Sequence, residues 1–576
     1  MVHHGNDGAR GALYAYSYRI ETLTLYLAQL LIMRIARLFF PALVLLMISC
    51  QDNDGAETSG KDYPDTEAWW NDQVFYQLFV RSFYDSDGDG SGDLQGVIQK
   101  LDYLNDGDPS TQNDLGVTAL MLMPVFQASN YDGYEVENYL EIDPDYGTMA
   151  DFEELLRAAA QRGIRIVLDF PVNHTSSLHP WFVKSSSADP GTFREWYIWR
   201  KDNPGDYSPY GGPLWHSSGD QFYYGLYGRM KPDLNFKNES VTKEIKTISE
   251  FWLDEKKVDG FRMEGAGALI ETGDNVMFTQ ANLDWWREYF SSIRKLDPSF
   301  MLIGDVPGLS TIADPYADDR LDLCYEYELS SSIFNGIQNQ AGNVIRDKVV
   351  DVTNRYPTLQ WGVFLTNQFQ NRTVDILQNP ASARVAAALL LTLPGVPFIY
   401  YGEEIGMSGT GTSQEIRKPM QWNNNVNGGF TSGEPWYPVD VDFPRNNISV
   451  QDADATSLLS YYRKLIRIRT QNQALKLGMF EPVRSSDPRI FSFFRTINSE
   501  VVLVVHNLSG SSISSPVLSN QDGSLAAATY NGKYLFTDDD APSLVIQGAG
   551  SFTGYTPVLE LMPYETTLIR FLKRDQ

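Results

Sequence analysis

The sequence predicts an α/β protein built on parallel strands and followed by a small antiparallel β domain. Three observations predict it. Apolar runs of strand length recur between residues 74 and 401, separated by helix-period segments or long connections, the pattern of strand, crossover and parallel strand. From about residue 480 the chain changes to short β-rich runs broken by Gly, Ser and Asn turns. The length of 576 residues, 43% of them hydrophobic, is long for one domain and supplies a large core.

The front end reads separately. Residues 33–50, M-R-I-A-R-L-F-F-P-A-L-V-L-L-M-I-S-C, carry two arginines, a short apolar run and a small residue before Cys50. The run is short for a membrane span and has the layout of a secretory signal. Its end resembles a bacterial lipobox, in which the cysteine is lipidated and becomes the mature N-terminus. Residues 1–32 are then an upstream extension, 33–49 a lipoprotein signal peptide, and 50–63, rich in Asp, Gly, Ser and Thr, a flexible tether. The expected location is a secreted bacterial lipoprotein, held by lipid on Cys50 at the cell surface or a periplasmic membrane face. Acylation of Cys50 leaves Cys324 as the remaining thiol, so no internal disulfide is expected. A net charge of -27 without any basic run excludes nucleic acid as a partner.

Residues 74–80 form the first strand candidate. The following D-S-D-G-D-G-S-G-D places Asp85, Asp87, Asp89 and Asp93 among small residues, and a hard cation such as Ca2+ needs several oxygens brought round by a tight turn. Gly96 stands where an EF-hand has its last acidic ligand, which excludes a regular helix-loop-helix site. Helical spacing over 94–104 leads to strands over 117–123 and 164–169. Residues 175–235 hold many Trp, Tyr, Gly and Pro without a helix period. An amphipathic helix over 242–256 precedes V-D-G-F-R-M-E-G at 258–265, a strand on which Arg262 and Glu264 share one face. Further strands are expected at 301–304 before Asp305, at 321–325, at 361–365 before Asn367 and at 395–401, with a last helix over 458–470.

Taken in order, these stretches resemble the α-amylase family, glycoside hydrolase family 13, over roughly residues 64–573. Y-D-G-Y-E-V-E-N-Y from Tyr131 is similar to the family's H-G-Y-D-x-x-D-Y, D-F-P-V-N-H from Asp169 to D-x-x-x-N-H, and K-P-D-L-N from Lys231 to P-D-L-N. G-F-R-M-E resembles the strand G-F-R-x-D, and L-P-G-V-P-F-I-Y-Y-G-E-E-I-G the eighth strand. R-K-P-M-Q-W from Arg417 resembles the R-x-P-M-Q-W of members acting on short oligosaccharides. The acidic loop resembles the calcium loop of oligo-1,6-glucosidase-like members.

The resemblance implies a (β/α)8 TIM barrel over 64–174 and 236–475, an inserted B domain over 175–235 and a C-terminal antiparallel β-sandwich domain over 480–573. It implies a structural Ca2+ on Asp85, Asp87, Asp89, Asp93 and the carbonyl of Ser91. It also implies an α-glucan or α-gluco-oligosaccharide ligand, with Tyr134 stacked on the sugar, His174 donating to it, and Asp169, Asn367 and Gln368 beside it.

The site departs from that family at its acids. Retaining glycosidases set a nucleophilic carboxylate and an acid/base about 5 to 5.5 Å apart. The family uses Asp and Glu respectively, whereas this chain carries Glu264 and Asp305, so the two side-chain lengths are exchanged. A misplacement of about 1 Å can cost on the order of 10²-fold in rate. Where the family has N-H-D after the seventh strand, this chain has Asn367, Gln368 and Phe369, and Phe369 offers no charge to stabilise a cationic transition state. Arg262, His174 and Tyr134 are retained. The expectation is a carbohydrate-metabolism protein that binds α-glucans or short α-glucosides with weak or lost hydrolysis. One alternative is an active retaining α-glycosidase or transglycosylase using Glu264 as nucleophile and Asp305 as acid/base. The other is a non-catalytic subunit that binds another protein. The lipid anchor and the resemblance together imply a glycan-uptake setting, with uptake proteins as partners.

Overall fold

The structure, a computed structural model, describes residues 68–573. The upstream extension, the signal peptide, Cys50 and the tether lie outside the described residues. Eight parallel strands close into a barrel: β1 Phe75–Leu78, β2 Ala119–Leu122, β3 Arg165–Pro171, β4 Gly260–Glu264, β5 Met301–Gly304, β6 Leu323–Tyr325, β7 Trp361–Phe364 and β8 Val396–Tyr400. Each strand pairs with the next, and β8 returns to β1 with Phe398 opposite Phe75. The TIM barrel expected from the sequence is present.

These strands are apolar on both faces because both faces are buried. One face points into the barrel, where Phe75, Met121, Val167, Ile303, Leu323, Phe364 and Phe398 fill the interior. The other faces the surrounding helices and belongs to the main core. Two residues further along, the same inward positions turn polar: Val167 gives way to Asp169, Gly260 to Arg262 and then Glu264, and Ile303 to Asp305. Register aligns them, since Asp169 and Arg262 are directly paired on β3 and β4 and Arg262 is paired with Ile303. A charged layer therefore caps an apolar barrel at the C-terminal ends of its strands.

The helix before β4 spans Glu239–Glu250, with Asn238 accepting from Ser240 N at 2.9 Å, and continues as a π-helical turn over Phe251–Glu255. Helices Gln280–Leu296, Tyr327–Gln338, Gly342–Arg355 and Ser382–Thr392 complete the outer layer. A hairpin of Phe126–Ala128 and Val136–Ile142 follows β2, and its connecting loop carries Tyr134. Between β3 and Glu239 lie a short helix, Pro180–Ser185, and a three-stranded antiparallel sheet of Trp199–Arg200, Trp215–Ser218 and Gln221–Tyr224.

The tail is an antiparallel eight-stranded sheet. Its central strands are Met479–Ser485, Ile490–Ile497, Glu500–Asn507 and Thr566–Lys573. Alternation divides its side chains: Phe494, Leu503, Ile569 and Phe571 make a core of their own, while Phe491, Phe493, Val502 and Val504 join the barrel's core. Buried Arg495 ties the two together, donating to Thr392 O at 2.8 Å and to Gly478 O at 2.9 Å. Among the described residues no helix is long and apolar enough to cross a membrane.

Candidate active site

Arg262 sits at the centre of the charged layer and is fully buried. Its Nη1 donates to both Asp169 oxygens at 2.6 Å, and its Nη2 donates to Asp305 Oδ2 at 2.6 Å. Burial alone would pull the guanidinium's pKa down, and the charges of Asp169 and Asp305 more than offset it. Asp305 has its second oxygen occupied as well, accepting from Tyr327 OH at 2.5 Å. Both oxygens of the acid/base position are thus already acceptors within the protein.

Glu264 differs. It is 7% exposed, and its Oε2 has no hydrogen-bond partner among the described residues. Burial pushes its pKa up to about 8, against the opposing pull of Arg262 and Lys231. At neutral pH this carboxyl therefore carries a proton. His174 is also buried, which drives its pKa down to about 3 and leaves the ring neutral. Its Nε2 donates to Tyr134 O at 3.0 Å and Nδ1 is left without a partner, so its one N–H is spent on the main chain. The sugar-donating role that the resemblance gives His174 is thus taken up within the protein in this conformation.

The resemblance gives Tyr134 the stacking role, but its ring is only 2% exposed. Its hydroxyl donates to Asp169 Oδ2 at 2.7 Å, and the ring of Phe369 lies over it with centroids 5.5 Å apart. Gln368 is fully buried between Gln77, Tyr134 and Arg262; with its amide oxygen turned to the guanidinium it accepts from Arg262 Nη2 at 3.0 Å. Asn367 accepts from Phe369 N at 3.0 Å and donates to Tyr327 OH at 3.3 Å, holding the end of β7 in place. Arg417 pairs with Asp132 at 2.9 Å and donates to Gln368 O at 3.1 Å. Phe369 covers both cations, with the guanidinium carbons of Arg262 and Arg417 lying 5.8 and 5.7 Å from its ring centre.

Away from this layer, Asp85, Asp87 and Asp89 bring carboxylate oxygens within 4.8 Å of one another, a hard-oxygen set that fits Ca2+. The turn needs its glycines, because a Cβ on Gly90, at φ +101°, would lie 1.9 Å from Glu434 O. Asp93 is not part of the cluster. It caps the helix Leu94–Gln99, accepting from Gly96 N at 2.6 Å, and also binds Ser86. Ser91 Oγ accepts from Arg81 Nη1 at 2.9 Å.

Residues 77–478 match the family profile described as Alpha amylase, catalytic domain. The chain belongs to the α-amylase family. Alpha-amylase 3 of Dictyoglomus thermophilum is 37% identical over 450 residues, covering 77% of this chain and 86% of its own. An Oligo-1,6-glucosidase of Parageobacillus thermoglucosidasius is 30% identical over 519 residues, covering 77% and 90%. The crystal structure of an alpha-amylase from H. orenii superposes with a TM-score of 0.75 at 34% identity, covering 88% of this chain and all 100% of that one.

Three residues of this α-amylase family site, Tyr327, Lys231 and Arg417, have no role assigned from the sequence. Tyr327, beyond β6, stands in no motif. Lys231 and Arg417 belong to motifs quoted for the family, and the charges around Glu264 and Asp132 could have drawn attention to them. Lys231 Nζ lies 5.6 Å from the Tyr134 ring centre and its charge acts on Glu264 and His174.

Two outcomes follow from the buried charges. Arg262→Met strands Asp169 and Asp305 without their cation and should lower unfolding free energy by about 3 to 5 kcal/mol, read by urea titration. Glu264 keeps a proton in the folded state that the unfolded chain loses near pH 4.5, so its contribution to stability declines as pH rises from about 4.5 to about 8. Glu264→Gln should flatten the fall in stability over that window by about one proton, on the order of 1 kcal/mol per pH unit.

Proposed function

We propose that this protein binds α-glucans or short α-glucosides and hydrolyses them weakly or not at all. The acid pair carries this conclusion. A two-acid retaining mechanism needs an ionised nucleophile and an acid/base that can give up a proton. Glu264, at the nucleophile position, is protonated at neutral pH, and Asp305, at the acid/base position, accepts on both oxygens from Arg262 and Tyr327. Glu264 thus lacks the charge a nucleophile needs, both oxygens of Asp305 are held by donors of the protein, and Phe369 removes the anion that would favour a cationic sugar. Relatives named Oligo-1,6-glucosidase and Trehalose-6-phosphate hydrolase support α-glucosides as the ligand class.

Prolonged incubation of the purified protein with α-1,4 and α-1,6 oligosaccharides and aryl α-glucosides tests this, with Glu264→Gln as control. Saturable oligosaccharide binding without product above the control is the expected result. Product above the control would make the chain a working glycosidase with exchanged acids. Absence of both binding and product would favour a protein-interaction subunit.

Two attachments complete the proposal. Asp85, Asp87 and Asp89 hold a structural Ca2+, with Asp93 fixing the adjoining helix. The lipobox-like end of residues 33–50 supports a lipid on Cys50, membrane anchoring and a place beside glycan-uptake proteins. One preparation checks both: chelation should lower the thermal midpoint, and metabolic labelling with palmitate should be lost in Cys50→Ser.

A further inference from the structure

A pyranose ring offers an apolar C–H face and a polar rim, and sites that hold it present an exposed aromatic face with polar groups close by. Tyr134 does not present one. Its ring is buried beneath Phe369 and its hydroxyl is committed to Asp169. Two other rings at the mouth of the site do. Phe369 is 48% exposed, with the guanidinium groups of Arg262 and Arg417 and the ring of Tyr134 packed about its buried part. Tyr210, from the insert between β3 and β4, is 51% exposed and stacks on Tyr227, with centroids 5.0 Å apart and planes 29° apart. Tyr227 in turn lies 5.3 Å from the His174 ring, so Tyr210 is the outer member of a stack that begins in the charged layer.

Phe369 covers Arg262, the partner of Asp305. Tyr210 is tied to the site through Tyr227, whose ring packs against that of His174. Each also packs on a ring behind it, Phe369 on Tyr134 and Tyr210 on Tyr227. Rings fixed in this way lose little side-chain freedom on binding.

We propose that a bound α-glucoside is held by Phe369 and Tyr210, outward of Tyr134. The assignment rests on the sugar-binding function proposed above. It gives Phe369, which stands in place of an acid, a positive role: it closes the inner position and offers its own face to the ligand.

Calorimetric titration of maltotriose and isomaltotriose into the purified protein and its Phe369→Ala, Phe369→Tyr and Tyr210→Ala variants tests the assignment. Thermal midpoints verify that each variant is folded. Phe369→Ala and Tyr210→Ala should each weaken binding by at least about tenfold, and Phe369→Tyr, which keeps a ring, should retain it. Unchanged or tighter binding by Phe369→Ala would mean that uncovered Tyr134 is the platform and would overturn the inference while leaving sugar binding intact. Unchanged binding by Tyr210→Ala would equally overturn it. Absence of binding by the unsubstituted protein would overturn the sugar-binding function itself, and this inference with it.

Discussion

A guanidinium removed from water must find anions inside the protein, and the C-terminal mouth of this barrel is arranged around that demand at Arg262. Asp169 comes to it across the register of β3 and β4, and Asp305 from the end of β5. The exchange of acid types changes more than length. The short arm of Asp305 keeps its carboxylate near its own strand, where Arg262 and Tyr327 engage both oxygens. The longer Glu264 ends with one oxygen unpartnered in a buried place, and taking up a proton relieves it. Burial, with the nearest cation already engaged by two aspartates, leaves the glutamate neutral.

Phe369 belongs to the same balance. An acid there would add an anion beside Arg262 and Arg417, which already have Asp169, Asp305 and Asp132. An aromatic ring meets both cations with the negative face of its π system and adds no net charge. It also shields them from water, strengthening the ion pairs beneath.

Much of this was legible because period-two patterning and parallel-strand burial leave plain marks. The eight barrel strands are apolar runs, and the pairing of Arg262 and Glu264 on one face follows from their spacing. The helix Ser382–Thr392 was not legible: every residue but Arg384 is buried, so it has no polar face to set a helical period. The hairpin that carries Tyr134 is short and bulged, with little alternation to read. At the site, motif order placed the acids, but ionisation depends on neighbours from other strands, which no local pattern encodes. His174 illustrates the limit, since its donor is directed to the carbonyl of Tyr134 forty residues away. Phe369 was visible as a missing acid, and its work as a cover became visible only once Tyr134 lay beneath it.

The tail sheet divides its side chains between two cores, and Arg495 reaches out of it to carbonyls of the barrel layer. The carbonyl of Thr392 ends the helix Ser382–Thr392 just ahead of β8, and Thr392 Oγ1 also meets His506 Nε2 at 3.3 Å. A helix C-terminus leaves main-chain oxygens without partners, and a buried arginine from another sheet supplies one. The last strand to close the barrel is thus steadied from outside by a part of the chain made after it. A chain cut short ahead of Arg495 would lack the donor for the Thr392 carbonyl, so loss of the tail sheet would be felt at the approach to the barrel's last strand.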